Sequence, residues 1–351
     1  MPVLPLLKNP VAYRPCADNM LVDIPPRDFW LEHFEKHFDT VVQLAIDNYG
    51  PASAKNAHAC RDSLVAELHH LRKNPRAWGE LNLLVLDLIR QQKLRAFDIP
   101  DPFEKMKHRE NAAMLPLYPR VIAELDAHTS EAECLLLLTE GIFAGNIYDL
   151  GAGPTVQRFA TESVDFIKIR DSIGGTRPWL IDHYDAFAAC ILAGPRHRKA
   201  IFFCDNAGSD CILGVLPFVR WMAHRGTQMI VAANRLPALN DITYYELLAL
   251  AAELSKVDPL LARLLDAGQI RIIDSGSIAP LLDLRHLSQA VCTQAADADL
   301  IFLEGMGRGL ESNFDAAFNV DAVKLCMIKI EMVAKRHGGK LYDTVLRFDP
   351  A

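Results

Sequence analysis

From about residue 198 onward, short apolar runs alternate with amphipathic stretches of helical period, and this rhythm constrains the fold more than any other feature. Ala200–Cys204, Met229–Ala233, Ile270–Ile273 and Leu300–Leu303 are apolar nearly throughout and too short to be helices of a folded core. A strand with one wet face alternates polar and apolar residues, whereas an almost unbroken apolar run belongs to a strand covered on both faces. Between the runs, Ile212–Ala223, Thr243–Leu254, Leu284–Ala296 and Ala322–Arg336 read as helices, and Leu341–Phe348 reads as a final edge strand. The β-α-β-α order predicts the α/β class, with a mostly parallel sheet between helices.

The first 140 or so residues carry a different signal. Trp30, Phe34, Phe38, Val41, Val42 and Ala45 fall at helical spacing in Phe29–Asn48, and Asn56–Arg72 repeats the pattern. Leu81–Ile89 is apolar nearly all round, as a central buried helix would be. Asn111–Leu125 and Glu131–Phe143 complete an all-helical region punctuated by Pro51, Pro75, Pro100 and Pro102. No long linker separates it from the α/β part, so it is expected to pack there as a cap or lateral bundle.

Composition narrows the partners. The net charge is −7 and no run of five Lys or Arg occurs, so nucleic acid is not an expected partner. The eight cysteines are scattered without a C-x-x-C pair, as suits a reducing compartment. No segment approaches the roughly 18 apolar residues of a membrane span, and the N-terminus lacks the pattern of a signal peptide. The expected setting is the cytoplasm, with no membrane partner; an oligomer is compatible with the composition.

In open α/β sheets, ligands bind outside the carboxyl ends of the strands. Here those ends are polar: Asp205-Asn206-Ala207-Gly208, then Asn234 with Asn240-Asp241, then Asp274-Ser275-Gly276, then Glu304-Gly305-Met306-Gly307-Arg308. Hard oxygen donors of this kind suit Mg²⁺ or Mn²⁺, and Asp205, Asn206 and Asp241 are the preferred ligands. Any one of them alone is more readily a helix cap or turn residue; their convergence at several strand ends favours a metal. Gly208 and the Gly305–Gly309 loop allow close backbone approach of an anion, but neither matches an NTP-binding or dinucleotide-binding fingerprint. Arg308 is suited to clamp a phosphoryl group or, with equal weight, to pair at the surface with Glu311. His183, beside Asp182 and Asp185, is more readily a structural hydrogen-bonding residue than a general base. Cys204 should point away from Asp205 into the core.

The segments Asp205–Gly208, Ala232–Thr243 and Leu303–Arg308 together resemble the metal-dependent damage-control phosphatase family. They are most similar to the branch found both as a stand-alone protein and as a phosphatase domain fused to pantothenate-kinase-like domains. Lys107–Asn111, Ala144–Asn146 with Asp149, Arg177–Asp185 and Asp283–Arg285 extend the resemblance over nearly the whole chain. It implies a three-layer α/β/α Rossmann-like domain over residues 141–351 with the helical region, 1–140, packed on it. It further implies Asp205, Asn206 and Asp241 as ligands of a divalent metal (Mg, Mn, Co or Ni), and hydrolysis of phosphomonoesters of small, often damaged metabolites. Substrates associated with the family are 4′-phosphopantetheine and its oxidised forms, and sugar phosphates. Other branches carry lysine where Glu304 stands, which leaves Arg308 here to meet phosphate. On this reading Asp205 and Asp241 are catalytic: attack comes from a water activated by Asp241 or from the Asp205 carboxylate. Asn146, Asp149 and Asn234 position the substrate, while Arg308 and Lys107 neutralise phosphate. The rival readings are an S-adenosylmethionine-dependent carboxyl methyltransferase and a non-catalytic regulatory domain.

Overall fold

The computed structural model describes residues 2–147, 166–175, 177–194 and 197–351. Six helices come first: α1 (Ile24–Tyr49), α2 (Ala54–Lys73), α3 (Leu83–Ala96), α4 (Glu104–Met114), α5 (Tyr118–Ala127) and α6 (Glu131–Ile147). Local chemistry sets their ends. Asn82 starts α3 by accepting a 3.0 Å bond from the Val85 amide. The single helix expected over Asn111–Leu125 is instead split by a short turn at Leu115–Leu117, because Pro116 and Pro119 each withdraw a backbone donor.

The remainder forms a seven-stranded sheet of β1 (Ile181–Asp182), β2 (Lys199–Phe203), β3 (Gln228–Ala233), β4 (Ile270–Asp274), β5 (Leu300–Glu304), β6 (Asp321–Met327) and β7 (Thr344–Asp349), in the order β1-β7-β6-β5-β2-β3-β4. All pairings are parallel except β6 with β7. The helices of this part are α7 (Phe166–Gly174), α8 (Tyr184–Ala193), α9 (Leu216–His224), α10 (Tyr244–Ser255), α11 (Pro259–Asp266), α12 (Gln289–Ala295) and α13 (Glu331–Arg336). The α/β class and the four apolar runs stand as expected.

Two expectations are corrected. Ala322–Arg336 is not one helix: its first half is β6, buried on both faces between β5 and β7, and α13 occupies only its end. Lys324 disguises this strand. It is a buried lysine whose ammonium reaches the carbonyls of Phe314 and Ala316 at 2.7 Å and Asp349 at 3.0 Å. The last strand is also not at the edge, since the two-residue β1 pairs beyond it.

Strand alternation divides the core into layers. Ala200, Phe202, Met229, Val231, Leu300 and Phe302 face one layer of helices that includes α5, α6 and α8–α10. Ile201, Phe203, Ile230, Ala232, Ile301 and Leu303 face the other way, toward α12 and the N-terminal segment around Leu4–Leu7. Cys326 and Val345, on that second face of β6 and β7, pack with α1–α3. The helical region thus covers one end of the sheet's second face, while α5 and α6 belong to the first.

Consecutive strands β2, β3 and β4 run toward one edge, and the chain then returns past β2 to place β5 on its other side. The order reverses between β2 and β5, so the crevice above their carboxyl ends is the topological switch point.

Candidate active site

The polar residues that follow β2 and β5 converge at that crevice. Asp205 and Asn206 leave β2, and the chain then enters an irregular, over-wide helical turn at Asp210–Val215. The loop after β3 is bridged to it: Ala207 N donates to Asn240 O at 3.0 Å and Ile242 N donates to Asp205 O at 2.9 Å. That short antiparallel bridge carries Asp241 to the side of Asn206. Thr243 then caps α10 through a reciprocal capping box with Glu246, fixing the exit of the loop. From β5, Glu304 is followed by Gly305 at φ +91°, where a Cβ would fall 2.2 Å from the Asp205 Cγ; only glycine admits the carboxylate so close.

Four carboxylates are thereby buried together: Asp205, Asp210, Asp241 and Glu304. Carboxylate oxygens of Asp205, Asp210 and Glu304 all lie within 4.8 Å of one another. Amides hold the cluster. Asn206 Nδ2 donates to Asp205 Oδ2 at 2.8 Å and to Asp210 Oδ2 at 2.9 Å, and Glu304 Oε2 accepts from the Asp205 amide at 2.7 Å. Asn146 Nδ2 donates to Asp210 Oδ2 at 2.9 Å and to Glu304 Oε1 at 3.2 Å. Arg308 enters from the turn after β5 and is wholly enclosed. Its guanidinium pairs with Asp205, donates to Asp241 Oδ2 at 2.7 Å and donates to Asn234 Oδ1 at 3.0 Å.

Charge is out of balance here, and the carboxyls register it. Burial, reinforced by Asp205, pushes Asp210 up to about 6. Burial, with Asp210 and Asp205 adding to it, raises Glu304 well above the ordinary carboxylate range. Burial acts against the Arg308 charge, but Asp241 and Asp205 outweigh it and hold the guanidinium firmly protonated. Asp210 Oδ1 is buried and, among the described residues, has no hydrogen-bond partner. An all-oxygen donor set, an excess of buried negative charge and an orphaned carboxylate oxygen fit a hard divalent cation.

One side of the cluster opens on a cavity of about 360 Å³. Asp205, Asn206 and Asp241 line its base. Trp30 and Phe34 of α1 and Leu83 of α3 form an apolar wall, and Arg90 and Lys329 bring positive charge to its sides, with the Glu311 carboxyl beside them.

Residues 33–345 match the family model described as the damage-control phosphatase ARMT1-like domain. The chain belongs to that family. It is 35% identical over 97% of its length to an Arabidopsis thaliana protein named damage-control phosphatase, and covers 92% of that protein. It is 31% identical to the Mus musculus 4′-phosphopantetheine phosphatase over 99% of its own length, covering 48% of the relative. It is 34% identical to the Arabidopsis thaliana pantothenate kinase 2, of which it spans 42%. The chain thus spans less than half the length of both of these larger relatives. A DUF89 family protein from Pyrococcus horikoshii shares the fold, with a TM-score of 0.63 at 16% identity over 92% of this chain and 97% of that one. Among the described residues, no helix is long and apolar enough to cross a membrane.

In this member of the family, Asp205, Asn206 and Asp241 come together at the cavity floor. Asn234 sits behind them, donating to Asp241 Oδ2 at 2.7 Å and to Ala279 O at 3.2 Å. Asn146 lies behind Asp210 and Glu304. Asp149 falls outside the described residues. Arg308 reaches the cluster, and its pairing with Glu311 at the surface is overturned by its burial between Asp205 and Asp241. Lys107 does not line the cavity: it is fully buried, 2.9 Å from Asp101 Oδ2 and 2.7 Å from Glu246 Oε1, tying α4 to the start of α10. His183 is a fold residue whose Nδ1 lies 3.1 Å from Phe348 O. Cys204 packs in the core, as alternation requires. Sequence reasoning missed Asp210, and it read Glu304 as a departure rather than as a member of the acidic cluster. Asp210 stands five residues after Asp205, and the turn at Ala207 and Gly208 folds it back so that its Oδ2 accepts from the Asn206 amide at 3.3 Å.

Proposed function

We propose that the chain is a metal-dependent phosphatase of small phosphorylated metabolites, with 4′-phosphopantetheine and its oxidised forms, or sugar phosphates, as the substrate class. One observation carries this reading: Asp205 and Asp241 at the floor of a 360 Å³ cavity at the switch point, backed by the buried Asp210 and Glu304 carboxyls and held by the enclosed Arg308 guanidinium. The phosphatase names of the relatives support it. The apolar wall of Trp30, Phe34 and Leu83 suits a leaving group with an extended, partly apolar arm.

Asp205, Asn206 and Asp241 would hold the metal, with Asp210 and Glu304 supplying further negative charge behind them. When bound, the ion supplies Lewis acidity to a phosphate oxygen and neutralises charge as the ester breaks. Arg308 fixes the orientation of Asp205 and Asp241, and a shift of its planar fork toward the cavity would let it meet phosphoryl oxygens. Lys329, on the cavity wall, is a second cation for the phosphate. Asn234 keeps Asp241 turned toward the site through its 2.7 Å bond. Asp241 would take a proton from an attacking water; alternatively the Asp205 carboxylate attacks phosphorus directly.

The test is phosphate release from a panel of p-nitrophenyl phosphate, 4′-phosphopantetheine and sugar phosphates, with and without Mg²⁺ or Mn²⁺. Release should require the ion and vanish in Asp205→Ala. Release that persists in chelator, or in that variant, refutes the reading. A phosphorylated Asp205 peptide, trapped by acid quench, would select the carboxylate as the nucleophile over water.

A further inference from the structure

We propose that Cys190, His197 and Asp321 form a second metal site, selective for zinc or a similar borderline divalent ion, at the end of the sheet opposite the phosphatase cavity. Asp321 is the first residue of β6 and His197 stands two residues before β2, so both lie at the amino ends of parallel strands whose carboxyl ends build the cavity. Cys190 faces them from the last part of α8.

The three ligand atoms are already at the spacing a metal would impose. Asp321 Oδ2 lies 2.9 Å from His197 Nε2 and 3.2 Å from Cys190 Sγ, and all three atoms are within 4.8 Å of one another. With zinc–ligand bonds of about 2.0–2.3 Å, the edges of a tetrahedron are about 3.3–3.6 Å, so the Asp321–His197 and Asp321–Cys190 pairs have to open by only a few tenths of an ångström. The surroundings hold the set in place. Asp321 Oδ1 accepts from the Ala351 amide at 2.9 Å, which leaves Oδ2 turned toward His197 and Cys190. Thr227 Oγ1 donates to the His197 carbonyl at 2.9 Å and fixes the backbone that carries the imidazole. The group is partly buried, with 10% of the His197 and 19% of the Asp321 side chain exposed, so an ion can enter and solvent can take the fourth position.

Burial first, then the hydrogen bond to Asp321, pushes the Cys190 thiol up to about 11, so it is protonated in the metal-free chain at neutral pH. On binding, the S–H bond breaks, its proton passes to solvent, and the sulfur pair forms the bond to the ion. The ring hydrogen on His197 Nε2, which faces Asp321 Oδ2 in the metal-free chain, passes to solvent while Nδ1 takes one up from solvent, so the Nε2 pair forms the bond to the ion. Asp321 Oδ2 exchanges two hydrogen bonds for the third ligand bond. One proton is released for each ion. Sulfur, imidazole and carboxylate together suit zinc, whereas the all-oxygen cluster in the cavity suits magnesium or manganese. The bound ion would join α8, the segment before β2 and the start of β6, groups 131 residues apart along the chain in the case of Cys190 and Asp321.

Cobalt(II) chloride added to the metal-free full-length chain tests this, because thiolate ligation gives a near-ultraviolet charge-transfer band that the all-oxygen cavity cluster cannot give. The expected result is a band that saturates at one equivalent, persists in Asp205→Ala and disappears in Cys190→Ser. His197→Gln should weaken cobalt binding at this band by about tenfold or more. Zinc should raise the melting temperature of the wild type and of Asp205→Ala, and raise it much less in Cys190→Ser. Circular dichroism of the metal-free variants checks their folding, and His197→Gln carries the test if Cys190→Ser does not fold. Absence of the band in the wild type at several equivalents overturns the proposal. So does an equal band in Cys190→Ser.

Discussion

Lys107→Met should lower the stability of the chain at pH 7 by about 3–5 kcal/mol, the usual cost of removing one partner of a buried ion pair. The ammonium is fully enclosed, 2.9 Å from Asp101 Oδ2 and 2.7 Å from Glu246 Oε1. Methionine restores most of the side-chain volume, so the loss is electrostatic rather than a cavity. The buried Asp101 and half-buried Glu246 carboxylates each lose a charged donor, at roughly 1–3 kcal/mol each. Neither carboxylate can turn away to water. Asp101 Oδ1 is held by the Phe103 amide at 3.1 Å, and Glu246 Oε2 by Thr243 N at 2.8 Å and Thr243 Oγ1 at 2.7 Å.

The pH dependence has a definite sign. Burial alone would raise the Glu246 carboxyl, but Lys107 and Thr243 outweigh it and hold it below its ordinary 4.5, so it stabilises the fold above that pH and the benefit fades as pH falls. Burial raises Asp101 above its ordinary 3.8 despite Lys107. Without the lysine both carboxyls rise, Asp101 from an already raised value, and once protonated they need no counter-ion. The difference between wild type and variant is therefore largest near neutrality and narrows as the medium approaches the ordinary carboxylate range. Urea unfolding followed by tryptophan fluorescence at several pH values measures it. A loss below about 1 kcal/mol, the size of an exposed pair, would refute the reasoning. So would a raised KM for a phosphate ester with unchanged stability, which is the outcome if Lys107 binds phosphate.

Gly305→Ala should destabilise the chain by about 3 kcal/mol or more and abolish metal-dependent phosphate release, since its Cβ falls 2.2 Å from the Asp205 Cγ at φ +91°; unchanged thermal unfolding would refute this. Arg308→Met strands the buried carboxylates of Asp205 and Asp241, so the metal-free variant should lose about 3–5 kcal/mol. Saturating Mg²⁺ or Mn²⁺ should restore most of that loss, seen as a melting temperature that climbs with ion concentration. Glu311→Gln should flatten a pH slope: burial, then Asp87, pushes this carboxyl from 4.5 up to about 8, so the folded chain keeps a proton that the unfolded chain gives up. Wild-type stability in chelator should therefore fall between pH 4.5 and 8 through this group, and the variant should lose that component.

Features that depend only on neighbours along the chain can be read without contacts. Runs such as Leu300–Leu303 and Ala200–Cys204 name buried parallel strands, because consecutive apolar residues can be satisfied only by cover on both faces. The polar residues that follow each run mark the ligand end of the sheet, which is why Asp205, Asn206 and Asp241 were legible before any contact was known. The family motifs added the phosphatase reading. What escaped are properties of groups far apart in sequence. Lys324 makes β6 look helical because the carbonyls of Phe314 and Ala316 and the carboxylate of Asp349 that satisfy it arrive from other segments. Lys107 resembles a phosphate ligand until folding places it between Asp101 and Glu246. Arg308 stands three residues before Glu311, yet it pairs with Asp205 and Asp241, 103 and 67 residues away. A charge takes the partner that burial leaves within reach, and burial is decided by how the layers pack, so only the tertiary structure fixes which charges meet.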